Sequence, residues 1–321
     1  MSQILKGNGW LMAAVMFVVA LCAATAQAQP DITCNNAALG GGPIKTFDFT
    51  GGATVGSFVP TGAFGTNNGR GLLVLGNKVY YTELTGAGAG PTDFIRIAPF
   101  NGGAGGADTE TLANPRPTTG IQDVAFSNGV MYVLTGYPSD APEVFGLDPV
   151  TGAIVSGPVA IAAPAAVDSD GFTVLANGNF LINSGDAVCT YNQFNPATGA
   201  LIAGTTIVVP GGVKCTGVET DGVSLFFQTN FDSFTKTTLS GTLIASQTVA
   251  ANTCEDISLD ISACAGATNA IPGKKNCHGK CVSFLARTHG GISKATSDFG
   301  YASVEDLQDA IDAFCLKSDH E

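Results

Sequence analysis

A turn recurs along this chain at a nearly constant interval, and that period constrains the fold more than any other feature. Asp148-Pro149-Val150-Thr151-Gly152 leads into Ala153-Ile154-Val155, and Asn195-Pro196-Ala197-Thr198-Gly199 into Ala200-Leu201-Ile202. Degenerate copies stand at Phe47-Asp48-Phe49-Thr50-Gly51, Pro99-Phe100-Asn101-Gly102 and Thr238-Leu239-Ser240-Gly241-Thr242. The turn glycines Gly51, Gly102, Gly152, Gly199 and Gly241 are 51, 50, 47 and 42 positions apart. A second unit alternates with the first: an apolar run, an Asn- or Asp-centred turn, then a run rich in aromatic and β-branched residues. It occupies 72–81, 124–133 and 172–182, and returns at Asp221-Gly222 ahead of Val223 to Gln228. Each unit is a hairpin signal, because a tight turn needs positive φ at its centre and Gly or Asn adopts it at least cost.

Two hairpins per interval make one four-stranded antiparallel sheet per repeat. Sheets repeating every roughly 40 to 50 residues are the signature of a β-propeller. A β-sandwich lacks so regular a repeat, and a parallel β-helix repeats on a much shorter period. The chain is therefore expected to be all-β, a propeller of about five four-stranded blades with a small α-helical C-terminal module. Four blades fall at about 70–112, 118–162, 168–210 and 215–250. The hairpin at 44–59 has no inner pair before it, and the strand from Glu255 to Ile261 has no Thr-Gly hairpin after it. Joined, they form a fifth, composite blade, which closes the ring and removes exposed sheet edges. Over roughly 44–262 the hairpin and Thr-Gly units resemble the blades of NHL, YVTN and SMP-30-like propeller proteins. The resemblance lies in the blade rhythm and implies fold alone.

The first 28 residues read as a secretory signal: Lys6, an apolar run from Leu11 to Ala24, and Ala26-Gln27-Ala28 as the cleavage site. That run of about 14 residues is shorter than the roughly 20 needed to span a bilayer. The expected organisation is a signal peptide at 1–28, a propeller at 29–273 and a helical tail at 274–321. The mature protein would be exported, periplasmic or extracellular, with no transmembrane segment after cleavage.

Eight cysteines follow the signal, and export favours disulfides over free thiols. Closure of the ring would bring Cys34 to Cys254 or Cys264, and Cys189 to Cys215 on the neighbouring blade. In the tail, Val282, Leu285 and Ala286 form one helical stripe, and Val304, Leu307, Ala310, Ile311 and Phe314 form another behind the N-cap Ser303. So small a module needs a staple, for which Cys281 with Cys315 is the natural pair, leaving Cys277 a partner near Cys264. In Cys277-His278-Gly279-Lys280-Cys281 the histidine follows the first cysteine, which excludes haem attachment; a zinc knuckle is the lesser alternative to disulfides.

Only 12% of residues are charged, the formal charge is −12 and the pI about 4.5, which excludes a coiled coil, a charge-rich disordered chain and a basic nucleic-acid binder. From 30 to 273 there are 19 Asp and Glu against 7 Lys and Arg, and from 274 onward 7 against 6, so the acidity belongs to the propeller. Residues 117–213 contain no Lys or Arg, yet include Asp123, Asp140, Glu143, Asp148, Asp168, Asp170 and Asp186. All three histidines, His278, His289 and His320, lie in the tail, so the propeller offers no histidine for a Ser-His-Asp triad.

Acids recur near the start of each blade's first strand, the strand that lines a propeller's channel. Converging carboxylates need a cation, a proton or water to compensate them. The expectation is an axial Ca²⁺ site built from Asp123, Asp170, Glu219 and Asp256, with Asp168 and Glu255 as further channel acids. The leading functional reading is a non-catalytic binding or structural module of the cell envelope, meeting a cationic or neutral ligand or an envelope protein. The alternative is a carboxylate- or Ca²⁺-dependent hydrolase or lactonase at the channel. A glycan-active enzyme with paired carboxylates is disfavoured, because the only tryptophan, Trp10, leaves with the signal.

Overall fold

The computed structural model describes residues 31–36, 43–59, 68–75, 78–84, 94–101, 104–127, 130–138, 140–165, 169–185, 188–222, 224–249 and 254–259 of the propeller. In the tail it describes 276–298, 303–305, 307, 308 and 311. Asp168, Cys264, Cys315 and the expected signal peptide lie outside the described residues.

Five antiparallel sheets follow the repeat. Blade 1 comprises β4 (Asn68–Leu75), β5 (Lys78–Leu84) and β6 (Phe94–Asn101), with short β7 (Ala104–Gly105) and β8 (Glu110–Ala113) both pairing β6. Blade 2 runs β9 (Gly120–Ser127), β10 (Val130–Tyr137), β11 (Glu143–Leu147) and β12 (Ile154–Ala160). Blade 3 is β13 (Phe172–Val174), β14 (Phe180–Asn183), β15 (Thr190–Phe194) and β16 (Ile207–Val208). Blade 4 is β17 (Cys215–Thr220), β18 (Ser224–Thr229), β19 (Ser233–Thr238) and β20 (Leu243–Thr248).

Blade 5 is the composite one. Its order is β21 (Cys254–Leu259), β1 (Asp31–Asn36), β2 (Ile44–Asp48) and β3 (Thr54–Phe58). The first end of the chain thus supplies three strands and the later one a single inner strand. β2, β3 and β21 are the strands expected from the sequence, and β1 is additional to them, its short Asp-Ile-Thr-Cys-Asn-Asn run preceding the first recognisable turn. Ile32 opposes Leu259 and Cys34 opposes Ile257 across the closing ladder. Cys34 is bonded to Cys254, the first of the two partners that closure allows, and Cys189 to Cys215.

The turn motif has a local cause. The Asp148 carboxylate accepts the amides of Val150 and Thr151 at 2.9 and 2.7 Å, and Asn195 does the same for Ala197 and Thr198. Gly152 and Gly199 then take φ of 69° and 65°, which a side chain would strain. In the first copy the left-handed glycine is Gly52 (φ 66°) rather than Gly51, because Asp48 occupies the place of Asp148 four residues ahead.

Packing closes the ring as much as pairing does. Five buried clusters lie one between each pair of neighbouring blades. Leu73 and Ile97 of blade 1 meet Val124 and Met131 of blade 2. Leu134 meets Phe172 and Phe180 between blades 2 and 3, and Tyr191 meets Phe227 between blades 3 and 4. Phe226 and Phe234 of blade 4 pack on Phe49 and Phe47 of blade 5, and Phe58 packs on Phe100 to complete the circuit.

The tail forms a separate small core. Helix α1 (Cys277–His289) and α2 (Ile292–Asp298) bury Cys277, Cys281, Leu285 and Ala295 with Leu307 and Ile311 of the following helical turn. Cys277 and Cys281 are both disulfide-bonded; the expected partners Cys264 and Cys315 lie outside the described residues. Among the described residues no helix is long and apolar enough to cross a membrane.

Candidate functional site: the acidic channel

The inner strands β4, β9, β13, β17 and β21, with the residues just ahead of them, can be set in register by the buried apolar residue that follows the acids. Those residues are Leu72, Val124, Phe172, Val218 and Ile257, all with 1% exposure or less. The preceding tier reads Gly71, Asp123, Gly171, Gly217 and Asp256, and the one before it Arg70, Gln122, Asp170, Thr216 and Glu255. Five blades therefore contribute one guanidinium and four acids to two adjacent layers, with Glu219 two residues beyond Gly217. Every one of these charged side chains is buried.

Arg70 organises the first tier. Its Nη1 lies 2.6 Å from Asp170 Oδ2 and 2.9 Å from Glu255 Oε1, so one cation from blade 1 joins carboxylates from blades 3 and 5. The guanidinium also stacks on the Tyr137 ring, 4.9 Å from its centroid. The sequence pattern points to acids in this layer, and the base Arg70 is not among the residues expected there. The signal was present, since Arg70 precedes Gly71 as Asp170 precedes Gly171.

In the second tier, carboxylates reach between blades to backbone amides. Asp123 Oδ2 accepts the Phe172 amide of blade 3 at 2.6 Å, and its Oδ1 accepts the Val124 amide at 2.6 Å. Asp256 Oδ2 accepts the Leu72 amide of blade 1 at 2.6 Å. Ser258 Oγ likewise accepts the Val74 amide at 2.8 Å. Farther along, Glu219 Oε1 accepts the Thr173 hydroxyl of blade 3 at 2.8 Å and its neighbour's amide at 2.9 Å. A buried amide of an inner strand has no water to bond, so each such contact satisfies a donor, and those to Phe172, Leu72, Val74 and Thr173 also clip adjacent blades.

The glycines of this tier allow the blades to approach. A Cβ on Gly71 would lie 2.8 Å from Asp123 Cα, and one on Gly217 would lie 2.6 Å from Asp256 Oδ1. With Gly71 between them, Asp123 of blade 2 and Asp256 of blade 5 hydrogen-bond to each other.

Burial dominates the electrostatics. It holds the Asp123 and Asp256 carboxyls well above the usual carboxylate range, aided by the Asp256 charge on Asp123 and the Glu219 charge on Asp256. Burial pushes Glu219 up to about 7 against two hydrogen bonds, and Glu255 up to about 8 against the opposing pull of Arg70.

The four expected calcium ligands all occur in this channel but are distributed differently from a single cage. Asp123 and Asp256 meet, Asp170 is on Arg70 and Glu219 is on Thr173. Among the described residues, no group of three or more His, Cys, Asp or Glu side chains is placed to hold a metal ion. The acids of the base-free stretch do find partners. Arg116, immediately before it, pairs with Asp140 at 2.9 Å and Glu143 at 3.2 Å, and Arg70 takes Asp170 from across the channel. Sequence distance concealed both pairings.

No family model matches the chain, and no curated protein matches it. Among solved structures, a protein of unknown function from Bacteroides caccae aligns at 12% identity with a TM-score of 0.43, covering 72% of this chain and 98% of its own. A glutaminyl cyclase from Myxococcus xanthus aligns at 14% identity and 0.42, covering 67% and 93%. The WD40 β-propeller domain of Doa1 aligns at 12% and 0.34, covering 58% and 54%. The architecture of this chain, established by its own sheets, is a five-bladed β-propeller carrying a small helical module.

Proposed function

We propose that this chain is an exported, non-catalytic binding or structural propeller of the cell envelope, in which the channel acids seal the ring and the outer surface meets the partner. The observation that carries this reading is the commitment of the acids. Asp123, Glu219 and Asp256 are bonded to backbone or hydroxyl donors of adjoining blades, and Asp170 and Glu255 to Arg70. A general base must reach a substrate proton, and carboxylates at 5% exposure or less that serve as blade clips offer a substrate little. In this reading Arg70 and retained protons supply the compensation for which a calcium ion on Asp123, Asp170, Glu219 and Asp256 would otherwise be needed. The surface that remains carries few charges, with acids in excess of bases, and has an apolar rim. Val55, Ile154, Val155, Leu243 and Ile244 stand about half exposed on the outermost strands β3, β12 and β20. A cationic or neutral partner with an apolar patch of its own fits it.

Thermal unfolding of the mature protein with calcium or with chelator, together with turnover assays on lactones and carboxylic esters, tests the reading. Unchanged melting and no turnover are expected. A calcium-dependent rise in melting temperature would restore the metal site. Hydrolysis abolished by Asp256→Asn would make the channel catalytic.

A further inference from the structure

We propose that Asp123 and Asp256 together form a proton-binding site: one proton, carried on Asp256 Oδ1 and donated to the Asp123 carboxylate, ties the closing strand β21 to blade 2 across Gly71. Both Asp123 oxygens already accept backbone amides, from Val124 and Phe172. Asp256 Oδ2 accepts the Leu72 amide, and the neighbouring Ile257 amide also favours the charged form of this carboxyl, but its Oδ1 is buried and completes no hydrogen bond with a donor among the described residues. The two carboxyl groups are nevertheless hydrogen-bonded to each other. Two carboxylates in contact supply four acceptors and no donor, so the bond needs a proton, and Oδ1 of Asp256 is the oxygen left to carry it.

The surroundings hold the proton in place. Asp256 is 1% exposed, as is Asp123. Glu219 from β17, Glu255 from β21 and Asp170 ahead of β13 add negative charge around the pair, while Arg70 from β4 is engaged by Asp170 and Glu255. Tyr191 of β15, buried beside the acids, donates to the Gly217 carbonyl at 3.3 Å. Lys214, ahead of β17, acts on Glu255 and stacks on the Phe231 ring. Arg70 is committed to Asp170 and Glu255, and the hydrogen bonds of the pair run to backbone amides and between the two carboxyls, so a proton is the ligand the site accepts.

Infrared spectroscopy on the intact protein decides this. Protein carrying carboxyl-¹³C aspartate is measured at about pH 9, above the values of about 7 and about 8 to which Glu219 and Glu255 are raised. The expected result is a protonated-carboxyl carbonyl band that shifts with the aspartate label and with deuterium exchange. No such band, or one that ignores the aspartate label, would overturn the proposal. This first measurement needs no variant. Asp256→Asn should then fold and lose the band, because its amide nitrogen can donate where the proton did. Asp123→Asn should fold less well, since its nitrogen would confront the Val124 or Phe172 amide. Equal tolerance of the two substitutions would also overturn the assignment of the proton to Asp256.

Discussion

Replacing Glu219 by glutamine should make this protein more resistant to alkaline pH. The carboxylate is bonded through one oxygen, Oε1, to the Thr173 hydroxyl and the Thr220 amide, and a glutamine carbonyl can accept both. What the substitution removes is the titration. Burial raises this carboxyl from 4.5 to about 7 in the folded protein, a difference of about 2.5 pH units, or about 3 kcal/mol at roughly 1.4 kcal/mol per unit. The sign follows from the folded form holding its proton longer. The wild type has its full stability below about pH 4.5, loses it progressively as pH rises to about 7, and is constant in this respect above that. Urea unfolding with the disulfides intact, run at about pH 4.5 and about pH 8 on both proteins, gives the difference between them. Any fixed cost of the new amide cancels in that comparison. The variant should gain about 3 kcal/mol on the wild type between the two pH values, corresponding to roughly 6 to 12 °C in melting temperature for a domain of this size. Parallel pH profiles would refute the claim that Glu219 is buried with a raised pKa.

Arg70→Met leaves Asp170 and Glu255 without their shared guanidinium and should cost about 3–5 kcal/mol, part of it recovered when Glu255→Gln is added; chemical denaturation of the single and double variants measures both. Removing the Cys34–Cys254 bond releases a loop of 220 residues and should cost about 5 kcal/mol, against about 3.5 for Cys189–Cys215 with a separation of 26, as compared by denaturation of the paired alanine variants. Gly217→Ala places a methyl 2.7 Å from the Ile257 amide and should lower stability by about 1–3 kcal/mol, read in the same assay.

Local chemistry wrote the blades into the sequence. The Asp148 and Asn195 turns cap themselves with their own side chains, and Gly152 and Gly199 adopt positive φ, so these corners are legible from a few adjacent residues. Alternating runs at that period identified the sheets, and the unmatched strands at each end implied the closing blade. The missing piece was β1, whose pairing with β21 depends on residues more than 200 positions away and on no turn of its own. Blade 1 falls where the period places it but departs from the four-strand pattern, because two short strands, β7 and β8, share the edge that a single fourth strand takes elsewhere.

The channel divides along the same line. Sequence alone determined that acids stand on successive inner strands, that cysteines flank the closure, and that histidine is absent from the propeller, because these depend on residue type and local period. Only the tertiary structure decided what the acids do. It brought Arg70 of blade 1 between Asp170 and Glu255, aimed Asp123 at the Phe172 amide, and set Asp256 against Asp123 over a glycine. Those partners lie 49 to 185 residues apart along the chain. Closing the ring removes both water and distance, and the meaning of a buried carboxylate is set by the donors that remain within reach.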